Sequence, residues 1–185
     1  MSFFDIFKRK NNVYCYTEEE MEQFENFVEE NWGKYYKLFH EVVSPDVHID
    51  IIIVPPTDRD NYYKLVTMGM GSYPMNIPSN LHQEELERAE LVIYLPANWS
   101  INSSEDKNFW PINILRVLAR YPLQSSSWLG IGHTISIDAN NTPFANNTGF
   151  CSILLLEAFN RNFQPLNFRL KEKGKINFYQ IFPLY

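Results

Sequence analysis

The sequence predicts an α+β fold in which helices cover a mixed, largely antiparallel sheet. Strand-like segments follow one another in long runs with short connections, which favours such a sheet. The regular alternation of strand and helix that is typical of a Rossmann fold is absent. The 185 residues, 45% of them apolar, fit one domain with a real core. We assign 1–185 to this domain, with an N-terminal extension over 1–16 and a C-terminal hairpin over 166–185.

The first predicted helix begins at Thr17, whose hydroxyl can cap it. Glu20 stands three residues later, at the position that completes a capping box. Apolar residues then recur at helical spacing as far as Phe39. Gly33 can bend or interrupt this helix, and Ser44-Pro45 is expected to end it.

Three strands follow the first helix, at Val47–Val54, Tyr62–Gly71 and Glu90–Pro96. The first is β-branched, alternates around three isoleucines and is closed by Pro55-Pro56. The third is apolar on both faces, as expected of a central strand. A short helical or irregular link at Leu81–Arg88 separates the last two.

The second half of the chain begins with another predicted helix. Asp106 or Asn108 can cap it, Pro111 lies near its first position, and Pro122 is expected to end it. Two further strands and a hairpin follow, with Gly174 taking a positive φ in the hairpin turn. These segments are Gly130–Ile137, Phe150–Leu156 and Phe168–Phe182.

Charge and cysteine content narrow the class of protein. A net charge of −6 does not suit sequence-independent phosphate binding, so no nucleic-acid partner is expected. Cys15 and Cys151 are too far apart in sequence for a zinc motif or a disulfide framework, which predicts buried free thiols in a reducing compartment. No apolar run reaches membrane-spanning length, and Met1–Lys10 has its charges in the reverse order of a secretory leader. These features predict a cytoplasmic protein with no membrane partner.

No motif for catalysis, metal binding or cofactor binding stands out. Paired histidines or cysteines at metal-ligand spacing and a nucleophile elbow are both missing. Gly69-Met-Gly71 and Gly130-Ile-Gly132 do not continue into a dinucleotide or phosphate-binding fingerprint. We therefore predict no catalytic residue, no metal and no cofactor.

Two histidines have alternative interpretations. His48 and Asp50 share a face of a strand and could form a general base, but a polar pair on the outer face of a half-buried strand is favoured. His133 lies beside glycines at a strand end. It is either exposed and reactive or a structural histidine bonded to a backbone carbonyl.

The segment Asn61–Pro78 suggests binding instead of chemistry. Its glycines alternate with methionines, and in a strand Gly69 and Gly71 would point one way and Met70 the other. Methionine adapts to irregular apolar surfaces, which makes Met70 and Tyr73 candidates for contact with a partner. Ordinary core packing is the alternative.

Several blocks, in this order, resemble the suppressor of fused family in its bacterial form. The resemblance runs from about Val47 to the end. The blocks are Val47–Pro56, Tyr62–Pro78, Arg88–Trp99, Trp110-Pro-Ile, Leu118–Pro122, Trp128–Thr134 and Ile176–Leu184.

The resemblance implies a sandwich-like domain without catalytic activity. Animal members bind a transcription-factor peptide as an added strand, and bacterial members look like toxin-neutralising immunity proteins. Tyr121 matches a tyrosine that helps to hold the animal peptide, whereas Gly132 stands where those members have an aspartate. With the neighbouring turn, this gives Tyr121, Gly130, Gly132 and His133 as further candidate partner-binding residues.

The sequence thus leads to a non-enzymatic protein-binding domain, with an immunity protein against a polymorphic toxin as the first hypothesis. A regulator that binds a peptide along a sheet edge is the alternative. A hydrolase that uses His133 is the third hypothesis, and it requires a carboxylate within hydrogen-bonding reach of that histidine in a cleft.

Overall fold

A sheet of eight strands forms the centre of the protein and confirms the predicted α+β class. The computed structural model describes residues 13–136, 138–160 and 162–185. The longer helices are α1 (Glu18–Trp32) and α2 (Asp106–Ser125). The strands are β1 (Lys37–Phe39), β2 (Asp50–Val54), β3 (Tyr62–Met68), β4 (Ala89–Pro96), β5 (Thr134–Ser136), β6 (Ser152–Glu157), β7 (Asn167–Leu170) and β8 (Gly174–Leu184).

The strands lie in the order β1-β2-β3-β4-β8-β6-β5, and β7 also pairs with β8. Neighbours are antiparallel except for β4 and β8, which run parallel from the pair Ala89–Asn177 to the pair Val92–Gln180. The sheet is therefore mixed and largely antiparallel, as the sequence predicts. The final strand lies in the middle of the sheet.

Each face of the sheet packs into its own apolar cluster. Ile51 and Ile53 of β2 face the larger cluster, to which α2 contributes Leu115. Ile52 faces the second cluster, together with Phe24 of α1. Because helices cover both faces, all five residues of β2 are buried. The predicted alternation of apolar residues accounts for burial on one face of this strand only.

The first helix starts as predicted and ends earlier than its pattern suggests. Thr17 and Glu20 form both bonds of the capping box, at 3.2 and 2.9 Å. The helix ends at Trp32 because Gly33 turns the backbone to a φ of 102°. The expected continuation to Phe39 is wrong, since the chain straightens and pairs with the edge of β2.

The strand predicted over Tyr62–Gly71 stops at Met68. Gly69 has a φ of +130°, and Met70–Ser72 form a single turn of 3-10 helix. The expectation that Gly69 and Gly71 face away from Met70 on a strand is therefore wrong. The space around Gly69 explains the turn, because the backbone oxygen of His48 would lie 2.0 Å from an added Cβ.

The second helix and the strand after it also differ from prediction. Helix α2 begins after Glu105 without a side-chain cap, so neither predicted cap is used. It runs past Pro122 to Ser125, because that proline lies in the last turn and its carbonyl accepts the N–H of Ser127 at 2.9 Å. Only Thr134–Ser136 of the strand predicted over 130–137 is a strand, and Ile137 lies outside the described residues.

The first described residues and the last two strands are tied to this sheet. Strands β7 and β8 pair across a turn in which Gly174 has a φ of +79°. Near the N-terminus, Tyr14 forms a parallel bridge to Val47, while the segment 1–10, which was compared with a secretory leader, lies outside the described residues. Cys151 is buried as expected, but Cys15 is exposed, which corrects the prediction of two buried thiols.

Candidate functional site

The Gly69–Gly71 turn holds a buried carboxylate. Glu90 of β4 is fully buried, and its Oε1 accepts the backbone N–H groups of Gly69 and Gly71, both at 2.9 Å. Its Oε1 also accepts the hydroxyl of Tyr16 at 2.8 Å, and its Oε2 accepts the hydroxyl of Thr67 at 2.5 Å. The segment that suggested a binding surface is thus the cradle of an internal acid.

Burial dominates the ionisation of Glu90. Loss of water around the carboxyl raises its pKa to about 7, although the donors from Thr67 and the two glycines pull the pKa down. Gly71 has no room for a side chain, since the hydroxyl of Tyr16 would lie 2.3 Å from a Cβ at that position. No periodicity in the sequence signals this acid, because its partners come from two segments, at Tyr16 and at 67–71, that are distant from it in sequence.

Two of the candidate binding residues lie inside the same region. Met70 and Tyr73 are buried, at 0% and 1% exposure, and Tyr73 donates a hydrogen bond from its phenol to the carbonyl of Ala119 at 2.8 Å. Both side chains therefore belong to the larger apolar cluster. A role in partner binding stays a prediction for them.

The turn from Gly130 to His133 packs on β6. The N–H of Gly132 donates to the Leu155 carbonyl at 2.8 Å, and the His133 ring lies edge-on against Trp128 with centroids 4.4 Å apart. Gly130 is buried, and a Cβ there would lie 2.4 Å from the Trp128 ring. Gly132 is exposed and has open space around it.

Within the described chain, the side chain of His133 forms no hydrogen bond or ion pair with a carboxylate. The geometry that the hydrolase hypothesis requires is therefore not found at His133. Nor do the hydrogen bonds and ring contacts of the described residues connect this turn to Tyr121, so the structure presents them as two separate candidate positions.

His48 and Asp50 do form a pair, and both are buried instead of lying on an open polar face. His48 Nε2 lies 3.1 Å from Asp50 Oδ1, with 9% and 2% of the two residues exposed. His40 Nδ1 approaches the other oxygen of Asp50 at 3.2 Å, and the N–H of Glu41 donates to Asp50 at 2.9 Å. Burial is the largest influence and works against ionisation, but the interactions with His48, the Glu41 backbone and His40 together keep the pKa of Asp50 below its ordinary value.

A serine extends this pair into a row that resembles a catalytic triad. Ser44 Oγ lies 2.8 Å from His48 Nδ1, which is the acceptor when Nε2–H of a neutral ring donates to Asp50. The same oxygen lies 2.7 Å from Glu41 Oε2, so the carboxylate competes for the serine proton. The cavity beside the row is lined by His48 and Asp50 but not by Ser44. We therefore interpret Ser44, His48 and Asp50 as an anchor that holds the chain before β2 in place, and not as a triad with a serine nucleophile.

Arg120 connects this row to helix α2. Its Nη2 lies 2.5 Å from both oxygens of Glu41 and donates to the Val47 carbonyl at 3.0 Å, while its Nε donates to Asp46 at 3.2 Å. The guanidinium is 11% exposed. Arg120 thus fixes both ends of the loop 41–46 against the helix. The sequence gives no sign of this network, since the partners are 73 to 79 residues apart.

Exposed apolar side chains occur on both elements that this anchor joins. Val42 and Val43 are each 78% exposed in the loop that Arg120 holds, and Val117 and Tyr121 of α2 are 49% and 39% exposed. The two helix residues are four apart and so share one face of α2. We call these four residues the valine–tyrosine surface. Tyr121 was predicted from sequence, whereas the valines carry no motif and become visible only through their exposure.

Comparison with known proteins identifies the family. The model of the suppressor of fused protein family matches residues 45–185. The chain belongs to the suppressor of fused family. Members of this family are generally protein-interaction domains without catalytic activity.

Two relatives illustrate the range of the suppressor of fused family. An uncharacterised protein of Ureaplasma parvum serovar 3 is 25% identical over 172 residues, which cover 91% of this chain and 79% of the relative. A crystal structure of a suppressor of fused homologue from Neisseria gonorrhoeae FA 1090 matches with a TM-score of 0.56 and 16% identity. That match covers 86% of this chain and 74% of the homologue, and it shows the shared fold.

This suppressor of fused domain contains elements outside the matched range. Helix α1 and strand β1 precede residue 45, yet they complete one apolar cluster and one end of the sheet. Among the described residues, no group of three or more histidine, cysteine or carboxylate side chains could hold a metal ion. No helix in that part of the chain is long and apolar enough to cross a membrane.

Proposed function

We propose that this domain is an immunity protein, which binds a protein toxin and neutralises it in the cytoplasm. The valine–tyrosine surface carries the proposal. Four exposed apolar side chains, on a loop and on the helix to which Arg120 anchors that loop, suit a protein interface, because soluble proteins keep large apolar patches for binding. The loop that carries the two valines is held at both ends by the Arg120 bonds, so little ordering entropy is lost on association.

Charge gives a second line of support. The net charge of −6 attracts a basic partner and speeds the encounter at low salt. An immunity protein acts by occupying its target, so it needs no catalytic group of its own.

Affinity capture from the native host tests this proposal. We expect the wild-type protein to retain a specific partner that a Val42→Ser/Val43→Ser variant and Tyr121→Ala lose. Phe163→Ser is the matched control, since Phe163 is 87% exposed and belongs to another loop. Retention of the partner by the double valine variant would contradict the assigned surface.

Co-expression tests the immunity role itself. We expect the captured partner to arrest growth when expressed alone and to be tolerated together with this protein. A captured partner that is harmless alone would refute the immunity role and leave a protein-binding domain of another purpose.

A peptide-binding regulator is the second candidate, and one observation favours it. Strand β5 is the last strand of the sheet order and has only three residues, with Thr134 and Ser136 exposed. Such an edge can accept an added strand. On a peptide array, binding that Tyr121→Ala abolishes would place the peptide at α2 and contradict the use of β5, and binding that His133→Ala leaves unchanged would separate this function from a hydrolase that uses His133.

A further inference from the structure

A pocket lies between the start of α1 and the strands β1 to β3, and it shares no lining residue with the valine–tyrosine surface. Its volume is about 270 Å³. Met21, Leu38 and Met68 give it apolar walls. Met21 and Leu38 are partly exposed, whereas Met68 is buried at 2% exposure and belongs to the cluster beneath α1.

The mouth of the pocket carries negative charge. Glu18, Glu22 and Glu25 line it from one face of α1, where their spacing of four and three residues brings the carboxylates together. Within the described chain, none of the three forms an ion pair. Asp50, whose pKa lies below its ordinary value, lines the inner end.

Among the residues that the structure describes, no lysine or arginine lines this pocket, and its other polar residues are His40 and His48. Like charges at this spacing on a helix repel each other by about 0.2–0.5 kcal/mol per pair. A cation that enters the pocket relieves this repulsion, whereas an anion increases it. The charge of the rim therefore selects the sign of the occupant.

We propose that the pocket binds an arginine or lysine side chain of the protein partner. Such a side chain combines an apolar stem with a charged head, which matches apolar walls and an acidic mouth. The stem packs on Met21 and Leu38, and the head stays among the rim carboxylates. This inference rests on the proposed function, since it gives the chemistry of the same partner at a second point of contact.

Nuclear magnetic resonance of the methionine methyl groups tests the pocket directly. The probe is a blocked Gly-Gly-Arg-Gly-Gly peptide, and the control is the same peptide with neutral citrulline. We expect the arginine peptide to shift the Met21 and Met68 signals in a salt-dependent way. Met70 and Met75 belong to the other apolar cluster and should stay unchanged. Equal shifts with citrulline, or shifts at Met70 and Met75, would overturn the proposal.

Charge variants on the same helix sharpen the test. Glu18→Gln/Glu22→Gln should weaken peptide binding by about two- to fivefold per charge removed. Glu30→Gln makes the same kind of change on an exposed position of α1 that does not line the pocket, and it should have no effect. An equal loss in Glu30→Gln would show non-specific attraction to the acidic helix and would overturn the site.

The occupant can also be distinguished from the chain's own basic residues. A rise in peptide affinity when Lys8, Arg9 and Lys10 are changed to glutamine would assign the pocket to that segment and overturn the partner as occupant. Failure of this inference is separable from failure of the proposed function. A captured toxin that binds Glu18→Gln/Glu22→Gln as tightly as it binds wild type refutes only the pocket, whereas peptide binding without any captured partner refutes only the immunity role.

Discussion

Tyr16 donates a hydrogen bond from its phenol to Glu90 at 2.8 Å and so joins the N-terminal segment to the buried start of β4. Both residues are almost without solvent contact, at 2% and 0% exposure. Removal of this donor leaves the carboxylate with one fewer partner, in a region that water does not reach.

We therefore expect Tyr16→Phe to lower the free energy of unfolding by about 1–3 kcal/mol. Urea denaturation at neutral pH measures this loss. Tyr36→Phe is the control, because the Tyr36 side chain is 46% exposed and remains in contact with solvent. Equal stability of Tyr16→Phe and wild type would show that the bond contributes nothing.

The raised pKa of Glu90 predicts a dependence of stability on pH. The folded pKa of about 7 lies above the ordinary value of 4.5, so folding favours the protonated acid. The contribution is fully present below pH 4.5 and is lost as the pH rises through about 7. Its full size is on the order of 3 kcal/mol.

Thermal melts between pH 5 and 8 check this sign. The melting temperature of wild type should fall over this range by more than that of Glu90→Gln, whose amide imitates the protonated acid. All other titratable groups are the same in the two proteins, so the difference between the two curves isolates Glu90. Parallel curves would contradict a raised pKa.

The Gly69 turn should tolerate no side chain. Gly69→Ala places a Cβ 2.0 Å from the His48 carbonyl oxygen, at a φ of +130°, and we expect a loss of more than about 4 kcal/mol or no soluble protein. Gly132→Ala is the control, since it has a positive φ but open space, and it should cost only about 1 kcal/mol. Soluble yield and urea denaturation compare the two, and similar losses would show that φ alone matters.

Arg120 should matter far more than an exposed arginine in an ion pair. Arg120→Met leaves the carboxylates of Glu41 and Asp46 without their cation in a largely buried site, which costs about 3–5 kcal/mol. Arg169→Met breaks a pair with Glu85 in which both side chains are about half exposed, so we expect less than 1 kcal/mol. Denaturation of the two variants gives the comparison, and equal effects would refute the anchor.

The parts of the fold that were predictable from sequence are those that local chemistry determines. The capping box at Thr17 has this character, and so does the positive φ of Gly174. The helix past Gly33 was overpredicted, because Tyr36 and Phe39 kept helical spacing by chance while their backbone pairs with β2. The spacing of apolar residues does not show whether such a segment continues a helix or pairs with a neighbouring strand.

The candidate site was less predictable, because long-range contacts define it. Tyr121 came from a resemblance, and its exposure agrees with a surface role. Arg120 and Glu90 were missed since each buried charge has partners far away in sequence, and a charged residue normally indicates solvent exposure. The exposure of Val42 and Val43 follows from a loop whose course only the folded structure fixes.

The central position of β8 affects how the protein is made. Synthesis from the N-terminus completes β4 and β6 before β8 leaves the ribosome, so each of them waits with one unpaired edge. Unpaired edges of this kind recruit strands from other chains. The interval before residues 174–184 emerge is thus the period of greatest aggregation risk, and slow translation of that stretch would lengthen it. The yield of correctly folded protein in the cell then depends on the timing of translation as well as on the free energy of unfolding of the folded domain.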